Sequence, residues 1–224
     1  MTDSFEALVD DARALAARPG RSVLGITGAP ASGKSTLAEL LVAALGADAV
    51  LVPMDGYHLD DPVLRAHGSW ERKGAIDTFD DSGFAHLLHR LRAADATVYA
   101  PRFDRGLEAS IAGAVEVAPG VPLVVTEGNY LLADTGAWPT ARAAIDEVWF
   151  LAIDPDLRRE RLIARHRRFG RSIDEARARA LGTDETNAVF IEATAARADR
   201  IVTMTDERPE RDDRTPASRG LRTD

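Results

Sequence analysis

Gly28, Gly33, Lys34 and Ser35 stand at the spacing G-x-x-x-x-G-K-[ST], and residue types in that order can hold a phosphate chain. Glycine lets the backbone wrap an anion closely, and the free N–H groups at the start of the following helix carry partial positive charge. Gly28, Ala29, Pro30, Ala31, Ser32, Gly33, Lys34, Ser35 and Thr36 are therefore expected around a nucleotide's phosphates. Lys34 would reach the β- and γ-phosphates, and the Ser35 hydroxyl would hold Mg²⁺. Of the 28 basic residues only Lys34 and Lys73 are lysine, so a rare compact ammonium falls on the position the motif demands.

Two carboxylates stand at the ends of apolar runs. Asp55 follows AVLVP (49–53), and Glu127 ends VPLVVTE (121–127). Asp-Gly between apolar runs is a hairpin signal, but YHLDDP after Gly56 does not alternate and offers no partner strand. The helix that starts at residue 34 runs about 18 Å away from the loop. The strand at 49–53 returns by about 16 Å, so its carboxyl end reaches the edge where ligands of open α/β sheets bind. Glu127 and Asp154 end their strands at the same edge, and three carboxylates are expected to converge there. Asp55 suits a general base that also shares in metal binding, and Glu127 suits Mg²⁺.

Residues 157–179 add nine arginines against three acids. Such a local reversal of sign fits an arginine-rich lid, about residues 161–172, closing over phosphates. Arg165 and Arg168 are expected to steady the transferring group, and Arg161 and Arg171 to contact the nucleotide.

The elements that must position these groups follow from hydrophobic periodicity. Helices are expected at 3–17, 34–45, 82–93 with Ser82 as cap, about 155–168, 172–181 and 184–196, with a short one near 61–67. Strands are expected at 22–27, 49–53, 121–127, 147–153 and 199–204, with 97–104 and 114–117 outside the main alternation. Strands alternating with helices predict an α/β fold: a parallel sheet of about five strands covered on both faces. Residues 1–204 read as one phosphate-loop domain whose first helix is either a packing element or a dimer arm. Residues 205–224, with 11 charges and little that is apolar, read as a disordered tail.

Composition removes several classes. The absence of cysteine excludes a thiolate nucleophile and a disulfide framework. A net charge of −8 disfavours nucleic acid as partner. No run is long enough for a membrane span, and the acidic amphipathic start lacks the features of a signal peptide, so a cytoplasmic location is expected. No lysine follows Lys73, which removes the Asn-Lys-x-Asp guanine reader of GTPases, and a Leu-Ser-Gly-Gly-Gln transporter signature is absent. A small-molecule kinase and an ATPase switch without an acceptor remain.

GAPASGKST, MDGYH, TEGNYLL and the arginine-rich segment, in this order, resemble the phosphoribulokinase/uridine kinase family, which includes bacterial pantothenate kinase. The resemblance covers about residues 20–204. It implies ATP and Mg²⁺ as cofactors, a small-molecule acceptor, Asp55 as general base, Glu127 at the metal and lid arginines within 161–171. It also implies an acceptor pocket built from Tyr57, His58, Lys73, Asp77, Phe79, Arg102, Asp104 and Arg105. Uridine kinases usually carry Asp-Ser-Phe-Tyr where this chain has Asp-Gly-Tyr-His. MDGYH, RKGAIDTFD and TDETNAVFIEATAARAD look closer to a fructokinase-like or nucleoside/nucleotide kinase-like subgroup. A sugar or nucleoside is the expected acceptor, then pantothenate.

Overall fold

The computed structural model describes residues 2–168 and 170–204; the expected tail at 205–224 lies outside the described residues. The chain begins with α1 (Phe5–Ala16), which Ser4 caps by accepting from the Ala7 N–H. β1 (Ser22–Thr27) leads through the phosphate loop into α2 (Lys34–Leu45), and β2 (Ala49–Leu51) returns. A 3₁₀ turn (Met54–Tyr57) and α3 (Asp61–Ala66) precede α4 (Asp81–Ala93). The cap of α4 is Asp80, whose carboxylate accepts from Gly83 N–H at 2.8 Å, so the expected cap Ser82 falls inside the helix. β3 (Val98–Asp104) and β4 (Ala109–Val117) form an antiparallel hairpin apart from the main sheet.

β5 (Leu123–Glu127), α5 (Trp138–Ala143) and β6 (Glu147–Ala152) follow. α6 (Pro155–Arg168), α7 (Ile173–Leu181) and α8 (Thr183–Glu192) then lead to β7 (Arg200–Thr203). Five parallel strands lie in the order β2-β5-β1-β6-β7. The sheet separates two cores. On one face α1 and α2 bury Leu8, Leu15, Leu37 and Leu41 against Leu24, Ile26 and Trp149. On the other, α4 and α5 bury Phe84, Leu88 and Trp138 against Val23, Val124 and Val148. Strands buried on both faces read as unbroken apolar runs, as SVLGIT and LVVTE do. The apolar face of α1 is packed inside the chain, as the packing-element alternative for the first helix requires.

The topology places the chemistry. β1 is central, with β5 on one side, and Ile26 is in register with Glu127. Backbone and hydroxyl bonds then stitch the carboxyl ends of the strands together. Val52 N–H donates to Val125 O (2.8 Å), Thr126 Oγ1 to Val52 O (2.7 Å) and Gly128 N–H to Ile26 O (3.1 Å). No helix among the described residues is long and apolar enough to cross a membrane.

Candidate active site

The phosphate loop folds as a cradle. A Cβ at Gly28 would stand 2.7 Å from Leu151 O and 2.8 Å from Ser32 Oγ, so only glycine fits. Ala31 takes φ 67°, a left-handed conformation that a non-glycine residue adopts only under constraint. Ser32 Oγ is buried with no hydrogen-bond partner. A buried orphan hydroxyl is unfavourable unless a ligand completes it, and beside a helix N-terminus that ligand is an anion.

Lys34 and Ser35 open α2 at the floor of a cleft of about 530 Å³ that Asp55 and Glu127 also line. Burial is the main cause that pushes the Glu127 carboxyl up to about 7; Asp55 adds to the rise, while the Lys34 ammonium and a hydrogen bond from Ser35 oppose it. Desolvation likewise pushes Lys34 down, against the pull of Glu127 and Asp55. Lys34 and Glu127 stabilise one another's charged forms too weakly to offset burial, a balance that a bound cation and a polyphosphate would shift toward the charged forms. Ser35 and Glu127, hydroxyl and carboxylate side by side, are the donor set that a magnesium ion takes from a protein when phosphates supply further oxygens.

Asp55 sits in the 3₁₀ turn after β2. One oxygen, Oδ2, accepts from Arg105 Nη2 at 2.7 Å, and Oδ1 lies 3.9 Å from His58 Nε2. Burial drives His58 down to about 4 despite the Asp55 charge, so the ring is neutral at pH 7 and the contact is not an ion pair. The ring stacks on Phe79 (4.0 Å between centroids) and leaves Nδ1 buried without a partner. Gly56 is required by the hairpin rather than by a turn: a Cβ there would collide with the Pro101 carbonyl of β3. Arg105 thus reaches Asp55 because β3 is pressed against this turn.

Three helices form the opposite wall. Arg165 and His166 on α6, Arg171 after it, Arg179 on α7, and Asp184 and Asn187 on α8 all face the cleft. Arg158, 1% exposed, and Arg159 both bind Glu185 of α8, so two of the nine arginines join helices rather than meet a ligand. Asn187 Nδ2 donates to Gly74 O, and Arg179 Nη2 to Lys73 O, each at 3.3 Å. Lys73 itself donates to Asp61 (2.7 Å) and to Glu108 O (2.9 Å).

The structure therefore brings together Pro30, Lys34, Ser35, Asp55, Glu127, His58, Lys73, Phe79, Arg105, Arg165 and Arg171 around one cleft. Other expected residues lie elsewhere. Tyr57 packs edge-on against Phe84. Asp77 pairs with Arg72 at 2.6 Å on the surface. Asp104 accepts from the Gly106 and Leu107 N–H groups in the hairpin turn. Arg102 is exposed on β3, and Arg161 and Arg168 stand outside the cleft walls among the described residues. Asp154, expected as a third carboxylate, instead accepts from the Asp156 and Leu157 N–H groups at the start of α6, where a helix end needs an acceptor. The cleft also contains Asn129, with a buried, unpartnered Oδ1, and His166, Arg179, Asp184 and Asn187, which sequence reasoning did not single out. Asn129 lies within TEGNYLL, and Asp184 and Asn187 within TDETNAVFIEATAARAD, the segments that carry the family resemblance.

No family model matches the chain. A candidate fructose transport system kinase from Silicibacter sp. TM1040, solved as a crystal structure, is 41% identical, with a TM-score of 0.82 over 89% of this chain and 98% of that one. An ATP-dependent kinase-like protein of Aspergillus versicolor is 40% identical over 145 residues, 60% of this chain and 84% of the relative. A candidate uridine kinase of Schizosaccharomyces pombe is 30% identical over 211 residues, 89% and 90% of the two chains. Kinases thus share sequence and overall fold with this chain, which is a P-loop phosphotransferase that uses ATP. The chain belongs to the phosphoribulokinase/uridine kinase family of small-molecule kinases.

Proposed function

We propose that this protein is a Mg-ATP-dependent kinase that transfers the γ-phosphoryl group to an alcohol of a small polyhydroxylated metabolite, a sugar or nucleoside before pantothenate. The observation that carries the reading is that the base candidate and the phosphate loop share one cleft with a wall of hydroxyl-binding groups. Beyond Asp55 the cleft is lined by Glu71, Glu108, Asn129, Arg179 and Asn187, with the faces of Trp70 and Phe103 among them. Mixed acceptors, donors and aromatic faces suit a ligand with many hydroxyls, and an ATPase switch has no need of them.

In this reading residues 1–204 act as one kinase domain, and the segment 161–172 serves as its lid. The loop N–H groups and Lys34 bind the β- and γ-phosphates. Ser35 and Glu127 hold Mg²⁺, which when bound neutralises charge on the transferring phosphoryl group. Arg105 fixes one oxygen of Asp55 and turns the other toward the acceptor, whose hydroxyl proton Asp55 takes as the oxygen attacks phosphorus. Arg165 and Arg171 cover the phosphoryl oxygens from the lid side. Neutral His58, stacked on Phe79, forms part of the acceptor side of the cleft.

The test is ADP release across a panel of sugars, nucleosides and pantothenate. One compound is expected to stimulate release far above the slow hydrolysis seen with ATP alone. No stimulation by any of them would favour the switch.

A further inference from the structure

We propose that His166 is a positioning residue for Arg171: its neutral ring, oriented by Asp184, sets this arginine against the terminal phosphate of the nucleotide. The inference rests on the kinase reading and on the placement of Arg171 at the phosphates.

Three groups from three segments meet here. His166, on α6, is 8% exposed. Arg171 Nη1 lies 2.7 Å from His166 Nδ1, and His166 Nε2 lies 2.6 Å from Asp184 Oδ2. A guanidinium can only donate, so Nδ1 must present its lone pair; the ring proton then sits on Nε2 and is donated to the carboxylate. The tautomer is dictated by its neighbours, as the second partner of a histidine commonly dictates it. A backbone bond repeats the link, from Arg171 N–H to His166 O at 3.2 Å.

Asp184 is itself firmly placed. It lies in the first turn of α8, and the next residue, Glu185, binds Arg158 and Arg159 of α6. A ring that only filled space would not set the direction of the guanidinium, whereas His166 accepts from Arg171 and donates to Asp184. A loss confined to the terminal-phosphate preference therefore distinguishes a positioning role from simple packing.

The experiment measures, by calorimetry on the full chain with MgCl₂ at pH 8, the affinity for ADP and for a non-hydrolysable ATP analogue. The ratio of the two reads contacts to the terminal phosphate. Arg171→Ala is expected to lower the preference for the analogue about 10-fold, the effect of one lost charge-assisted hydrogen bond. His166→Phe should lower it by a similar factor and keep ADP affinity, with a smaller loss in Asp184→Ala. If Arg171→Ala loses the preference and His166→Phe keeps it, the relay is overturned. A preference unchanged in both removes Arg171 from the phosphates, and the inference falls with that assignment. Should His166→Phe also lose ADP binding, Asp184→Ala is read in its place, and an unchanged ratio there overturns the relay.

Discussion

The two ends of the cleft are built in different ways. The phosphate end is continuous chain: Gly28 to Ser35 folds between a central strand and its helix, and the strand-end bonds hold it to Glu127. The end proposed for the acceptor and lid is assembled from separate pieces, a hairpin, the loop at 73–74 and three helices, joined by side chains such as Asn187 to Gly74 and Lys73 to Asp61. Backbone builds one end and side-chain bonds build the other. A site made of contiguous backbone tolerates little variation in sequence, whereas side-chain bonds can be altered one residue at a time.

Asp55 stands at the junction, so its substitution tests the comparison most severely. Asp55→Asn is expected to lower turnover about 10²-fold or more while ATP affinity is kept, as steady-state kinetics and nucleotide titration would show. Unchanged turnover would remove the base from the proposed mechanism. Next in size is Arg179→Ala, which should raise the acceptor KM about 10-fold with ADP affinity unaltered. An effect on ADP instead would mean that the two ends are not separate.

A smaller effect concerns stability. His58 is held at about 4, below its ordinary 6.5, chiefly by burial. Its neutral form stabilises the fold fully above pH 6.5, and that contribution is lost as pH falls through 4. The loss is up to about 3 kcal/mol. Thermal unfolding of His58→Gln should therefore be less sensitive to acid over that window than the wild type. Equal slopes would show that the ring titrates normally. The smallest effect belongs to Arg72→Ala, which breaks an exposed pair with Asp77. Activity and melting temperature should both stay near wild type, since exposed pairs contribute about 0–1 kcal/mol.

The same division explains what could be read from the sequence. The sheet and its phosphate loop were legible because apolar runs and a contiguous motif carry them, and Glu127 followed from the end of its strand. The cleft wall proposed as a lid was legible only as an excess of arginine. Spacing on α6 marked Arg161 and Arg168 alongside Arg165, yet among these three only Arg165 lines the cleft. One-turn spacing puts residues on one helix face, but which of them meets the cleft depends on how α6 packs, and Arg158 and Arg159 tie it to Glu185 of α8. Asp184 and Asn187 were hidden for the same reason, because their meaning depends on how α8 packs. Asp154 misled because a carboxylate after a strand is also a carboxylate before a helix.

Gly56 has a consequence for anyone who surveys variants of this protein. No side chain fits there, because the backbone of Pro101 occupies the space. In a saturation screen scored by growth or activity, this position would tolerate substitution as poorly as its neighbour Asp55. Its intolerance would come from a crossing of two chain segments. A mutational map would thus mark two adjacent residues alike, and only a purified variant's folding would tell the reactive one from the one that makes room.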